Sequence, residues 1–152
     1  MKNKILSIVL TVICLLAFAT NVCANDYRGT LSNITMNGKV FGNVTGQSFS
    51  LTDNKDGTYH LTGEVQQIGN MPGTISIDFF VKITDGIITP IDIDQKVGNL
   101  IILKRVPISI KLRNITGSFT NNTLHFVLET YAGWKKIPTF PASVTFDGTL
   151  QL

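Results

Sequence analysis

Few groups in this chain are equipped for chemistry. The densest set of oxygen donors is Asp53-Asn54-Lys55-Asp56-Gly57, with His60 just beyond it. An EF-hand calcium loop needs oxygen ligands at its first, third and fifth positions, glycine at the sixth and an acid at the twelfth. Counted from Asp53, the third and fifth positions are Lys55 and Gly57, so an ammonium stands where a ligand belongs. A tight turn with Gly57 in the left-handed region accounts for the same residues, and no metal site is expected. The two histidines, His60 and His125, fall out of phase with the apolar positions around them and are expected in solvent. Two histidines without a third partner at ligand spacing do not make a zinc site. Gly46-Gln47-Ser48-Phe49-Ser50 lacks the second glycine and the strand-to-helix setting of a nucleophile elbow. Glu64 and Glu129 are carboxylates that could approach across a barrel, as any two outward acids could. No catalytic residue and no cofactor are expected, and the chain reads as a non-enzyme.

The first residues read as an address. Lys2 and Lys4 precede an apolar run from Ile5 to Ala19, which gives way to Ala-Thr-Asn-Val-Cys-Ala-Asn. A basic start, a short apolar stretch and a small-residue end describe a secretory signal peptide, with Val22-Cys23-Ala24 as cleavage site and Ala24 its last residue. The run is shorter than the roughly 20 residues of a membrane span. Acylation of Cys23, as in a lipoprotein, is the rival reading, and Asn21-Val22 before the cysteine fits it poorly. The expected products are a leader, residues 1–24, and one domain, residues 25–152, that is exported to the periplasm, the cell surface or the medium. Removing 24 of 152 residues leaves 128, enough for one sizeable core. Both cysteines, Cys14 and Cys23, leave with the leader, so the domain has neither disulfide nor thiol nucleophile. Without Lys2 and Lys4 the balance falls from 13 to 11 bases against 10 acids. Scattered, nearly balanced charge gives no footprint for nucleic acid, and no membrane span is expected after leader removal.

Everything after residue 25 reads as strands. In Thr74–Thr84, Ile75, Ile77, Phe79, Val81 and Ile83 alternate with polar residues, with Phe80 the exception. Such a period of two marks a half-buried strand. The same alternation carries Tyr59, Leu61, Gly63 and Val65, then Ile108, Ile110 and Leu112, then Leu124, Phe126 and Leu128, then Val144, Phe146, Leu150 and Leu152. Asn37-Gly38, Asp85-Gly86 and Asn121-Asn122 are hairpin signals. Gly42 and Gly46 lie inside one expected strand, where the apolar phase slips by one residue, the signature of a bulge. About eight strands with short hairpins fit a closed up-and-down barrel or a sandwich. The ends favour closure. Tyr27-Arg28-Gly29-Thr30-Leu31 and Phe146-Asp147-Gly148-Thr149-Leu150 suit first and last strands that pair and remove both edges, with Arg28 expected opposite Asp147. The expected fold is all-β, a single antiparallel up-and-down barrel of about eight strands.

These features carry a resemblance. Tyr27-Arg28-Gly29-Thr30-Leu31, Asp56-Gly57-Thr58-Tyr59 with its alternating strand, and Gly69-Asn70-Met71-Pro72-Gly73 resemble the calycin-like, or lipocalin-like, β-barrel domains of exported bacterial proteins. The resemblance spans nearly all of residues 25–152. It departs at Thr74-Ile75-Ser76, where relatives have a longer Val-rich stretch. It implies a lipocalin-like barrel and small apolar ligands, and it brings no catalytic residues.

Tyr131 to Pro141 reads as a long connection before the last strand, and it holds the sole tryptophan. Apolar residues on a loop at a barrel mouth suit a ligand portal. The expected site residues are Tyr131, Trp134 and Phe140 for the apolar part, with Lys135 and Lys136 for an acidic headgroup. The competing expectation is a loop that folds back to plug the barrel. The expected function is non-catalytic binding of a small hydrophobic molecule or lipid. The alternative is a cell-envelope interaction or structural module with a solid core, since Phe41, Phe49, Phe79, Phe126 and Phe146 would fill a small barrel. A hydrolase stands behind both, for want of a nucleophile and base.

Overall fold

The structure is a computed structural model that describes residues 23–65, 68–70, 73–102, 105–134 and 137–152, without the side chains of 134, 137 and 138. The expected leader up to Val22 and the pair Lys135-Lys136 lie outside these residues. Ten strands follow in chain order: β1 Ala24–Met36, β2 Lys39–Phe41, β3 Val44–Asp53, β4 Thr58–Val65, β5 Gly73–Thr84, β6 Ile87–Pro90, β7 Lys96–Ile102, β8 Val106–Phe119, β9 Thr123–Trp134 and β10 Ile137–Leu150. All pairings are antiparallel. β6 and β7 share one place in the wall: β5 pairs β6 along 81–84 and β7 along 73–77. β1 pairs β10, so the sheet closes into an eight-position barrel with β2 as a short flap on β1.

Closure between first and last strands is as the sequence suggests, but the register differs. Gly29 faces Gly148, Arg28 faces Thr149 and Thr30 faces Asp147. Arg28 is therefore not opposite Asp147. The glycines set this register: a methyl group on Gly29 would lie 1.9 Å from the Asp147 carbonyl oxygen and 2.5 Å from the Gly148 Cα. The expected bulge is at Gly46, whose φ is 72°, where the β1–β3 register slips between Gly29 and Thr30. At Gly42 the chain leaves the sheet altogether, which divides the single expected strand into β2 and β3.

The inward phase is apolar and the outward phase polar, so β5 buries Ile77, Phe79, Val81 and Ile83 and exposes Asp78, Lys82 and Thr84. A membrane-spanning barrel has the reverse pattern. The end formed by residues 53–58, 84–87 and 119–123 is filled. Tyr27, fully buried, meets Phe119 edge-on with ring centroids 6.1 Å apart, and Tyr59 lies 5.8 Å from the same ring. Burial pushes the Tyr27 phenol above its usual pKa.

Candidate functional site

The site is made by a size gradient along two adjacent strands. Phe126 of β9 pairs with Phe146 of β10, Leu128 with Val144, and Thr130 with Ala142. All six point inward, and each rung is smaller than the one below it. Next comes Ala132, opposite Thr139. The barrel is thus packed to the Phe126–Phe146 level and hollow above. At that level Phe49 joins the pair. Its ring centroid is 5.3 Å from Phe126 and 4.7 Å from Phe146, both edge-on, and the last two are 5.2 Å apart. Such contacts add about 0.5–1.5 kcal/mol each beyond their buried area. Glycines make room for the rings: a Cβ on Gly63 would stand 2.4 Å from Phe49, and one on Gly148 would stand 2.4 Å from Phe146.

Above this floor is a cavity of about 510 Å³, open at one end. Its walls are Leu31 and Ile34 from β1, Ile75 and Ile77 from β5, Leu100 and Ile102 from β7, Ile108 and Ile110 from β8, with Leu128, Ala132 and Val144 from β9 and β10. Polar groups are few. Thr130 and Ser143 lie among the walls, and Asn37, Lys39 and Asn70 reach it from connections at the mouth. Asn37 and Gly38, both at positive φ (50° and 77°), make the tight turn that carries Lys39, and the Asn37 N–H donates to the Pro141 carbonyl at 2.8 Å. Ile68 dips into the interior, and Phe41 packs over Gly69, partly roofing one side. Four of the phenylalanines expected to fill the barrel, Phe49, Phe79, Phe126 and Phe146, are buried, and Phe41 is half-buried in the wall; the hollow remains.

The structure divides the five expected site residues. Phe140 lines the mouth, exposed, with φ of 48°. That left-handed value is costly for a bulky side chain; it arises in the register slip between Thr139 and Ala142. Tyr131 lies away from the cavity. It is on the face of β9 opposite Thr130 and Ala132, buried, and its hydroxyl donates to Asp94 Oδ1 at 2.6 Å. That bond raises the phenol's pKa, because the phenolate would lose it and face a carboxylate. For Trp134 only the backbone is described, paired with Ile137, and Lys135 and Lys136 are outside the described residues. The expected long loop 131–141 is mostly strand, because β9 and β10 continue past the barrel wall as a hairpin. Neither Tyr131 nor Phe140 plugs the interior.

The other chemical candidates are on the outside. In the Asp53–Gly57 hairpin, Asp53 Oδ1 accepts the Lys55 N–H at 2.7 Å and Asp56 Oδ1 accepts the Thr58 N–H at 2.8 Å. These bonds, the Lys55 backbone bond first for Asp53 and the Thr58 hydroxyl first for Asp56, hold both carboxyls below their usual pKa. Lys55 and Gly57 have positive φ, 65° and 85°, as a turn requires. Among the described residues no cluster of three or more His, Cys, Asp or Glu is placed to hold a metal. His60 Nε2 contacts Asp78 at 2.7 Å and stacks on Phe80, and His125 Nδ1 contacts Asp147 at 2.6 Å. Ser118 stands across from His125, so a Ser-His-Asp row crosses the outer wall. Among the described residues no hydrogen bond joins Ser118 to His125, and the ladder of the sheet engages the backbone N–H groups an oxyanion would need. Glu64 and Glu129 cannot meet, because β4 and β9 stand on opposite sides of the barrel and both side chains point outward.

Compared with known proteins, the chain matches no family model, no curated protein and no solved structure.

Proposed function

We propose that this protein is an exported, non-catalytic barrel that takes a small apolar molecule, such as a fatty acid or another single-chain lipid, through its open end. The observation that carries this reading is the apolar hollow above the Phe49–Phe126–Phe146 floor. At about 510 Å³ it lies within the ordinary range of small-molecule sites, roughly 300–1,000 Å³. Water in such a space finds few hydrogen-bond partners, so an apolar chain that displaces it gains. Ten buried methylenes are worth about 8 kcal/mol of transfer free energy, from which the cost of association is subtracted. Lys39 and the Asn37 and Asn70 amides at the mouth suit an anionic or polar head left in water, while Thr130 and Ser143 offer hydroxyls within.

The test is thermal unfolding in the presence of lauric acid. Saturation to about a hundred times Kd stabilises the native state by about 2.7 kcal/mol, a rise of several degrees. A melting temperature indifferent to a panel of lauric, myristic and palmitic acids counts against the reading.

Export rests on the basic, then apolar, then small-residue order of the first 24 residues. Cleavage after Ala24 would remove only the first residue of β1, and the strand would start at Asn25, which pairs with Leu51. N-terminal sequencing of protein from its host should start at Asn25. An acylated Cys23 would make it a lipoprotein, and a retained Met1 would end the export proposal.

A further inference from the structure

We infer that the open end of the barrel docks on the surface of an anionic phospholipid bilayer. Three large apolar side chains stand at that end in full view of solvent: Val40 is 80% exposed, Phe140 56% and Val106 55%. They come from β2, β10 and the first residue of β8, along the half of the rim that runs from β1 through β10 to β8. Phe140 is held there at a backbone cost, since φ of 48° is a conformation an aromatic residue rarely adopts. Strain of this kind collects where a side chain has a task.

Charge selects the partner. Among the described residues, the segments at this end, 37–43, 68–70, 105 and 139–141, carry Lys39 and Arg105 and no acid. The hairpins of the closed end, 53–57 and 85–86, contain Asp53, Asp56 and Asp85 against Lys55. A chain that is nearly neutral is therefore polarised along the barrel axis, which turns the mouth toward a negative surface and the closed end away. Apolar side chains set among basic ones match an interface of acyl chains beneath anionic headgroups. This extends the ligand reading by placing the mouth where a single-chain lipid leaves the bilayer, but docking does not need the cavity to be filled.

Flotation with lipid vesicles tests it. The protein should float with vesicles of phosphatidylglycerol mixed into phosphatidylcholine, not with phosphatidylcholine alone, and the bound fraction should fall with salt. Lys39→Glu and Arg105→Glu should each reduce binding about fivefold or more. Phe140→Gly should also reduce it several-fold while leaving thermal stability equal or higher, because glycine adopts this φ freely. Ala132→Trp, which obstructs the cavity, should still float, so loss of ligand uptake and loss of docking can be told apart. Absence of flotation, flotation unchanged by these rim variants, or a dimer that Phe140→Gly dissociates would each overturn the inference, the last by making a second copy the occupant.

Discussion

Phe126→Ala should destabilise the protein by about 3–5 kcal/mol, the usual cost of emptying a buried aromatic position. Phe126 is fully buried and its ring touches those of both Phe49 and Phe146. Removing it leaves Phe49 and Phe146 with one aromatic partner instead of two. The wall cannot collapse inward to compensate, because barrel diameter is fixed by strand number and stagger. The void would also join the cavity above, so the floor is lost along with its packing. A domain of this size holds only about 5–15 kcal/mol in total, so the loss should be plain in urea unfolding as a lower midpoint at similar slope. A cost below about 1 kcal/mol would mean that the three rings do not form a packed layer.

Ala132→Trp should weaken ligand uptake by about tenfold or more and leave the fold almost untouched. Ala132 is buried against the hollow, on the smallest rung of the β9 gradient. An indole there would extend into open space, so the roughly 1–3 kcal/mol cost of overpacking a filled core does not apply. It would occupy the volume an acyl chain needs, and calorimetric titration with lauric acid should show affinity down by about tenfold or more, at least 1.4 kcal/mol. Tight binding in this variant would place the ligand elsewhere.

The barrel was legible because each strand states its face. Period-two alternation in residues 74–84 and 124–128 gave the walls, and Asn37-Gly38 and Asp85-Gly86 gave turns that the structure bears out with positive φ at all four residues. The pairing of the first and last strands was legible too, but its register was not, because the Gly29–Gly148 contact depends on how closely two backbones approach. The shared place of β6 and β7 was missed, since residues 91–95 leave the wall without a strong turn motif. The cavity had a signal that went unread: inward residues shrink from Phe126 through Leu128 and Thr130 to Ala132, and from Phe146 through Val144 to Ala142. Aromatic content left a filled barrel as the alternative, whereas the order of sizes along the strands decides where it is filled. Tyr131 drew attention as an aromatic near the mouth, but one residue of phase put it on the outer face. Phe140 owes its position at the rim to a bulge that composition does not announce.

The central claim is that an apolar molecule enters the hollow above the aromatic floor. Nuclear magnetic resonance of isotope-labelled isoleucine methyl groups, titrated with lauric acid, tests it most directly. Ile75, Ile102, Ile108 and Ile110 line the cavity, whereas Ile83, Ile88 and Ile115 do not. The first four should shift in a saturable way and show contacts to the acyl chain, with the other three unmoved. Shifts confined to outer residues, or no shift at concentrations below the lipid's own aggregation, would contradict the account.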